Sequence, residues 1–393
     1  MTHPNTPASG FDVEVVRREF PIVREVVYLN TGTAGVCPLT VSEKLWESIR
    51  AFELNGESPR GWGEAASRME AARTRLAAFL GAEREEIAFT RNATDGVNLV
   101  VEGIQWRDGD EVLLSDQEHP SMLFPWTYLT QRRNVALRRF KVGLSDGETL
   151  AAIRAAMSPR TRLLATSHVT SQTGTRVPAS DIVRLCHERD VRVLFDGAQA
   201  VGQFLIRLGE LGADFYTGNL HKWLHGPKGT GFFYVRNDRA DELVPTWTGA
   251  GTGAFSDETG LTPQPNAFRF EYGTRDFGKY GGIVALFDWF DRLGFENVWA
   301  WSRQLTTSLK ARLRELPRVR LHSPDSWETS SALTTFSVEG VSAGQFIGEL
   351  HERHRIRLRG VGEVDGARVS TTLFNTEAEL DFLIESLRPY VSS

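Results

Sequence analysis

Apolar positions first recur along this chain at helical spacing, and then, from about residue 87, as short dense runs. Residues 40–54 and 63–80 read as amphipathic helices. The first opens on Thr40-Val-Ser-Glu43, a capping-box pattern, and the second stops at Gly81. The runs over 87–90, 111–115, 136–142, 162–166, 191–195, 214–217 and 231–236 are apolar or β-branched and bounded by turn residues, so they predict strands. Helical patterns over 121–131, 148–157 and 178–190 separate several of them. Strands joined by helical crossovers imply a mostly parallel sheet covered on both faces, and the expected fold class is α/β.

The stretch over 243–264 is rich in glycine, threonine and proline and reads as a long loop. A helix from about 279 leads to a strand over 332–338, a helix over 344–354, strands over 356–359 and 367–372, and a helix over 377–387. That order suits a small α+β domain. The expected organisation is an arm over 1–20, a large domain over 21–278, and a linker helix with a small C-terminal domain over 279–393.

Length and charge narrow the possibilities. A chain of 393 residues supports two or three cores. Forty-five basic against 50 acidic side chains give a net charge of −5, which leaves no electrostatic footprint for nucleic acid. No apolar run approaches the ~18 residues of a membrane span, and the first residues lack the pattern of a signal peptide. Two cysteines, Cys37 and Cys186, make no disulfide framework and fit a reducing compartment, so the expected location is cytoplasmic.

The chemistry gathers at strand ends. The run over 191–195 delivers Asp196-Gly-Ala-Gln199, where the carboxylate could cap a helix, ligate a metal or partner a buried cation. Further on comes Thr217-Gly-Asn-Leu-His-Lys-Trp-Leu-His-Gly-Pro-Lys-Gly-Thr-Gly231. Lys222 lies there after a strand, among apolar groups that can depress its amine pKa and leave it nucleophilic. His221 and His225 are four apart, yet no zinc-protease pattern accompanies them and no metal site is expected.

The strand-Asp-x-x-Gln element followed by a strand-x-x-His-Lys element resembles the class V aminotransferase family of pyridoxal-phosphate enzymes. The Asn-x-His-Lys-Trp form is most similar to its isopenicillin N epimerase-like and cysteine desulfurase-like branch. The resemblance implies an aspartate aminotransferase-like fold with pyridoxal 5'-phosphate as cofactor. It also implies that Lys222 bonds to the cofactor aldehyde and then serves as base. Asp196 would face the pyridine nitrogen, Gln199 would donate to the ring hydroxyl, and His119 in Glu118-His-Pro-Ser121 would stack on the ring. Ala93 and Thr94 in Phe89-Thr-Arg-Asn-Ala-Thr-Asp-Gly96 would take the phosphate at a helix start, joined by His221 and by Asn219, which stands where desulfurases usually carry Ser. Ser171 falls where many relatives have Asn. In Glu271-Tyr-Gly-Thr-Arg275, Thr274 would reach the phosphate of a neighbouring subunit, with Arg275 as companion, which implies a homodimer with composite sites. Arg368 would clamp a substrate carboxylate as a bidentate fork, with Arg359 as the alternative, and Trp62 would line the substrate channel.

The family's desulfurases need a persulfide-forming Cys upstream of the carboxylate Arg, and this chain has none between Val319 and Arg368. Persulfide transfer is therefore not expected, and elimination from an amino-acid conjugate (a C–S lyase reaction), which asks least of the site, is the expected activity. Epimerisation at Cα is one alternative, and transamination or decarboxylation-linked deamination another. Retention of Lys222, Asp196 and Arg368 together argues against a non-catalytic scaffold.

Overall fold

The computed structural model describes residues 11–56 and 58–391. Of the expected N-terminal arm, residues 1–10 lie outside the described residues. The part that follows packs inward: Phe11, Val16 and Phe20 are buried around helix α1 (Val13–Arg18). Strand β1 (Val27–Tyr28), helix α2 (Leu39–Asn55) and helix α3 (Pro59–Leu80) lead into the main sheet. Helix α3 ends at Gly81 in the left-handed conformation that glycine adopts without strain. The capping box expected at Thr40 does not form. Helix α2 begins one residue earlier behind Pro38, and the Thr40 N–H donates to Glu19 Oε2 at 2.9 Å, so a carboxylate from outside the helix satisfies that end.

Seven strands form the large sheet: β2 (Ile87–Thr90), β3 (Glu111–Ser115), β4 (Ala136–Phe140), β5 (Thr161–Ser167), β6 (Arg192–Asp196), β7 (Phe215–Asn219) and β8 (Gly231–Val235). Their order is β2-β8-β7-β6-β5-β3-β4, with β8 antiparallel to both neighbours and the other pairings parallel. Helices α4 (Ala93–Gly103), α5 (Pro120–Arg132), α6 (Asp146–Ala156), α7 (Ala179–His187) and the short α8 (Leu208–Leu211) lie between these strands in the chain. The continuous apolar runs have a direct cause: alternate side chains feed two separate cores. Val193 and Phe195 join one core and Leu194 the other, as Phe232 and Tyr234 oppose Phe233. A strand buried on both faces needs apolar residues at every position.

The 243–264 stretch is not a continuous loop. Strands β9 (Gly253–Ser256) and β10 (Gly260–Pro263) pair as an exposed antiparallel hairpin. Here the short tract lacks the buried face that would have given it an apolar pattern. Helices α9 (Gly278–Leu293) and α10 (Phe295–Glu315) then carry the chain to a four-stranded antiparallel sheet. It comprises β11 (Val319–Leu321), β12 (Leu333–Val338), β14 (Arg359–Val361) and β15 (Gly366–Ser370), and helix α11 (Ala343–His354) lies between β12 and β14 in the chain. The strand expected over 356–359 is divided: β13 (Ile356–Arg357) pairs with β1 instead. Helix α12 (Glu377–Val391) closes the described chain. No helix among the described residues is long and apolar enough to cross a membrane.

Candidate active site

The parallel strands end together, and this gathers side chains from distant parts of the sequence. A small cavity is lined by Ala93, Thr94, His119, Ser171, Asp196, Gln199, Asn219 and Lys222. All eight were site candidates from sequence. Ser121, Ser167, Val169 and Ala198 complete the lining and were not among them.

A helix start in the lining suits an anion. Helix α4 starts there, capped by Asn92, whose Oδ1 accepts from the Asp95 N–H at 3.1 Å. Gly96 lets the helix approach β7 closely, since a Cβ there would lie 2.2 Å from Thr217 Oγ1. Asn219 Oδ1 accepts from the Ala93 N–H at 2.8 Å, so it orders this turn as well as lining the cavity. His221 does not line it. Its Nδ1 donates to the Thr230 carbonyl at 2.9 Å, and burial lowers its pKa.

The same lining carries opposite charges. Asp196, at the last position of β6, is 4% exposed, and its Oδ1 accepts from the Ala198 N–H at 2.7 Å. Burial raises its pKa, opposed by that hydrogen bond and by Lys222. Lys222 lies just beyond β7. Burial lowers its amine to about 8 despite the attraction of Asp196, and the Arg368 and Arg359 charges push the same way. His119 is fixed as the N-cap of α5: its Nδ1 accepts from the Ser121 N–H at 3.1 Å, which places the ring proton on Nε2. Burial, then the charge of Lys222, lowers it to about 4, so the ring is neutral.

Gln199 is already engaged, with Nε2 donating to Gly32 O at 2.8 Å and Oε1 accepting from Trp223 Nε1 at 2.9 Å. One amide N–H remains for a ligand. Beside His119, the buried Glu118 carboxylate accepts from Ser115 Oγ, Thr166 Oγ1 and both the N–H and Oγ of Ser167. It ties β3 to β5 directly behind the cavity wall.

Arg368 is 1% exposed and has no acidic partner among the described residues. One terminal nitrogen donates to Ser171 O at 2.6 Å, another approaches Thr33 Oγ1 at 3.4 Å, and Nε has no partner. Burial, then Arg359, depresses its pKa. The turn over 30–35 is the part of the site that sequence reasoning overlooked. It supplies Gly32 O and Thr33, and Gly35 packs so tightly that a Cβ would sit 2.0 Å from the Lys222 carbonyl oxygen. Its glycines were the available signal.

The remaining candidates lie elsewhere. Thr274 and Arg275 line a second pocket with Arg91, Tyr272 and Lys279. Glu271, just before them, accepts both terminal nitrogens of the buried Arg73 at 2.8 and 2.9 Å. Trp62 is 38% exposed and packs edge-on against Phe52 and Phe277, lining neither pocket. Cys37 and Cys186 are held up to about 11 and about 12 by burial, so neither thiol ionises readily.

The family model described as "Aminotransferase class-V" matches residues 27–390. An isopenicillin N epimerase of Streptomyces clavuligerus is 32% identical over 96% of this chain and 98% of its own. A cysteine desulfurase of Cronobacter sakazakii is 31% identical over the same shares. Two solved structures of C-DES superpose with a TM-score of 0.89 at 28% identity, over about 95% of this chain and 99% of theirs. One holds glycine covalently linked to its PLP cofactor, and the other is the cystine C–S lyase with its product cysteine persulfide.

Proposed function

The chain belongs to the class-V aminotransferase family, and we propose that it is a pyridoxal-phosphate-dependent lyase that eliminates a thiol from a cysteine-type conjugate. The cavity fits this cofactor by its chemistry: the positive end of a helix with Thr94 in its first turn for a phosphate, a buried carboxylate for a cationic ring nitrogen, and a buried amine for an aldehyde. Thr94 and the amide nitrogen of Asn219 would hold the phosphate, with Ala93 at the helix start beside them, Asp196 the ring nitrogen, Gln199 and Ser171 the ring hydroxyl side, and His119 the ring face, whereas His221 lies outside the lining. When bound, the cofactor supplies an electron sink that acidifies the Cα–H bond of an attached amino acid.

The residues then divide the work. Arg368, buried and without an acidic partner among the described residues, binds the substrate carboxylate, and Arg359 adds positive potential. Lys222, with its amine near pKa 8, takes the Cα proton at Nζ and can return it during product formation. The buried Lys222 amine, which lines the same cavity as Asp196 and feels its charge, carries this reading, together with the likeness to a cystine C–S lyase. Epimerisation is the second reading, supported by the relative in Streptomyces clavuligerus. It needs a proton donor on the face opposite Lys222, and burial keeps the His119 ring neutral, with no imidazolium proton to give. We further infer a homodimer in which Thr274 and Arg275 complete the partner's site, since within one chain they lie in a separate pocket.

Incubation with amino acids in deuterated water tests the reaction. Pyruvate with released thiol supports elimination, whereas exchange with inverted configuration and no thiol replaces it with epimerisation. Lys222→Ala should lose the visible absorbance of the bound cofactor, and a colourless wild-type protein would sink the cofactor assignment.

A further inference from the structure

His225 stands three residues after Lys222 with a backbone φ of +57°, a left-handed conformation uncommon outside glycine. Its N–H donates to Lys222 O at 3.0 Å and closes the turn that presents the lysine. The side chain is fully buried between the edges of Phe20 and Phe374, with ring centroids at 5.4 and 5.5 Å. Both ring nitrogens are used. Nδ1 lies 3.0 Å from the Val36 carbonyl, and Nε2 lies 3.0 Å from Thr372 Oγ1. A carbonyl only accepts, so Nδ1 carries the proton and Nε2 accepts from the Thr372 hydroxyl.

These partners belong to the two other segments that build the site. Val36 follows Gly35, whose N–H donates to His221 O at 2.9 Å and whose backbone presses on the Lys222 carbonyl. Thr372 stands four residues after Arg368, just beyond β15. It is itself held, since its N–H donates to Asn375 Oδ1 at 2.9 Å. One imidazole therefore joins the lysine turn, the N-terminal turn and the C-terminal sheet. Glycine or asparagine would relieve the backbone at this position but could not span both partners.

We propose that His225 is a positioning residue that fixes the separation between the Lys222 amine and the Arg368 guanidinium, so that one amino acid meets both at once. The inference rests on the roles proposed above for Lys222 and Arg368. It concerns the distance between them, which neither residue sets alone.

The test uses the cofactor-loaded protein and two probe amines, glycine and methylamine, titrated by the change in cofactor absorbance. Methylamine needs only the lysine end, and glycine needs both. Thr372→Val removes the hydroxyl while keeping the shape, and Thr372→Ser keeps it. Thr372→Val should weaken glycine about tenfold relative to methylamine, the scale of one lost buried hydrogen bond, and Thr372→Ser should stay near wild type. His225→Asn, which tolerates the backbone, should shift the ratio in the same direction and serves if Thr372→Val does not fold. An unchanged glycine-to-methylamine ratio in the folded variants overturns the proposal. A wild-type protein that binds methylamine but shows no preference for glycine overturns instead the role of Arg368, and this inference with it.

Discussion

Arg359 and Arg368 are register partners on the antiparallel strands β14 and β15, and among the described residues neither forms an ion pair with a carboxylate. Like charges directly opposite across a sheet destabilise it. The arrangement makes sense as a site awaiting an anion, and it separates function from stability.

Arg368→Leu should raise KM for an amino-acid substrate by about 10- to 100-fold, the range for losing charge-assisted hydrogen bonds. The same change removes an uncompensated buried charge, so its urea midpoint should equal or exceed that of wild type. An unaltered KM would shift the carboxylate role to Arg359.

Lys222 has an ordinary amine pKa of 10.5 and is held near 8 in the cofactor-free chain. Burial disfavours its ammonium form, so a stability penalty is present below about pH 8 and is relieved as pH rises towards 10.5. Labelling of Lys222 by an amine reagent, followed by mass spectrometry, should be half-maximal near pH 8. Asp196→Asn should move that midpoint lower, because the carboxylate attraction opposes the shift. A midpoint near 10.5 in the wild-type chain would contradict this electrostatic picture.

Arg73 is 1% exposed and grips Glu271 with both terminal nitrogens while also donating to Ile87 O at 2.7 Å. Arg73→Leu leaves that carboxylate buried without its main partner. It should lower unfolding free energy by about 3–5 kcal/mol in urea denaturation. A loss below about 1 kcal/mol would mean that Arg275, 3.4 Å from Glu271, takes over the pairing.

Neither thiol is poised for sulfur chemistry, since burial pushes both up. The double substitution Cys37→Ser with Cys186→Ala should leave thiol release from a cysteine conjugate within about twofold of wild type. Loss of sulfur release in a folded double variant would restore persulfide transfer as the reaction.

Legibility varied with the kind of signal. Strands β2 and β3 fell on their expected bounds, and β6 within one residue, because strands buried on both faces leave unbroken apolar runs. The β9–β10 hairpin was read as loop because its exposed residues carry no such run. The cap at Thr40 was misread because local spacing cannot show that Glu19 reaches the same N–H.

By itself, the sequence determined the α/β class and the strand ends that carry Asp196 and Lys222, because burial periodicity and residue order are local properties of a chain. It also supplied eight of the residues lining one cavity. Only the tertiary structure decided that Arg368 is buried with no acidic partner among the described residues, that the 30–35 turn presses on Lys222, and that His225 reaches Val36 and Thr372 together. Those facts depend on which distant segments pack against each other. Packing is set by the shape and burial of the whole molecule rather than by spacing along the chain.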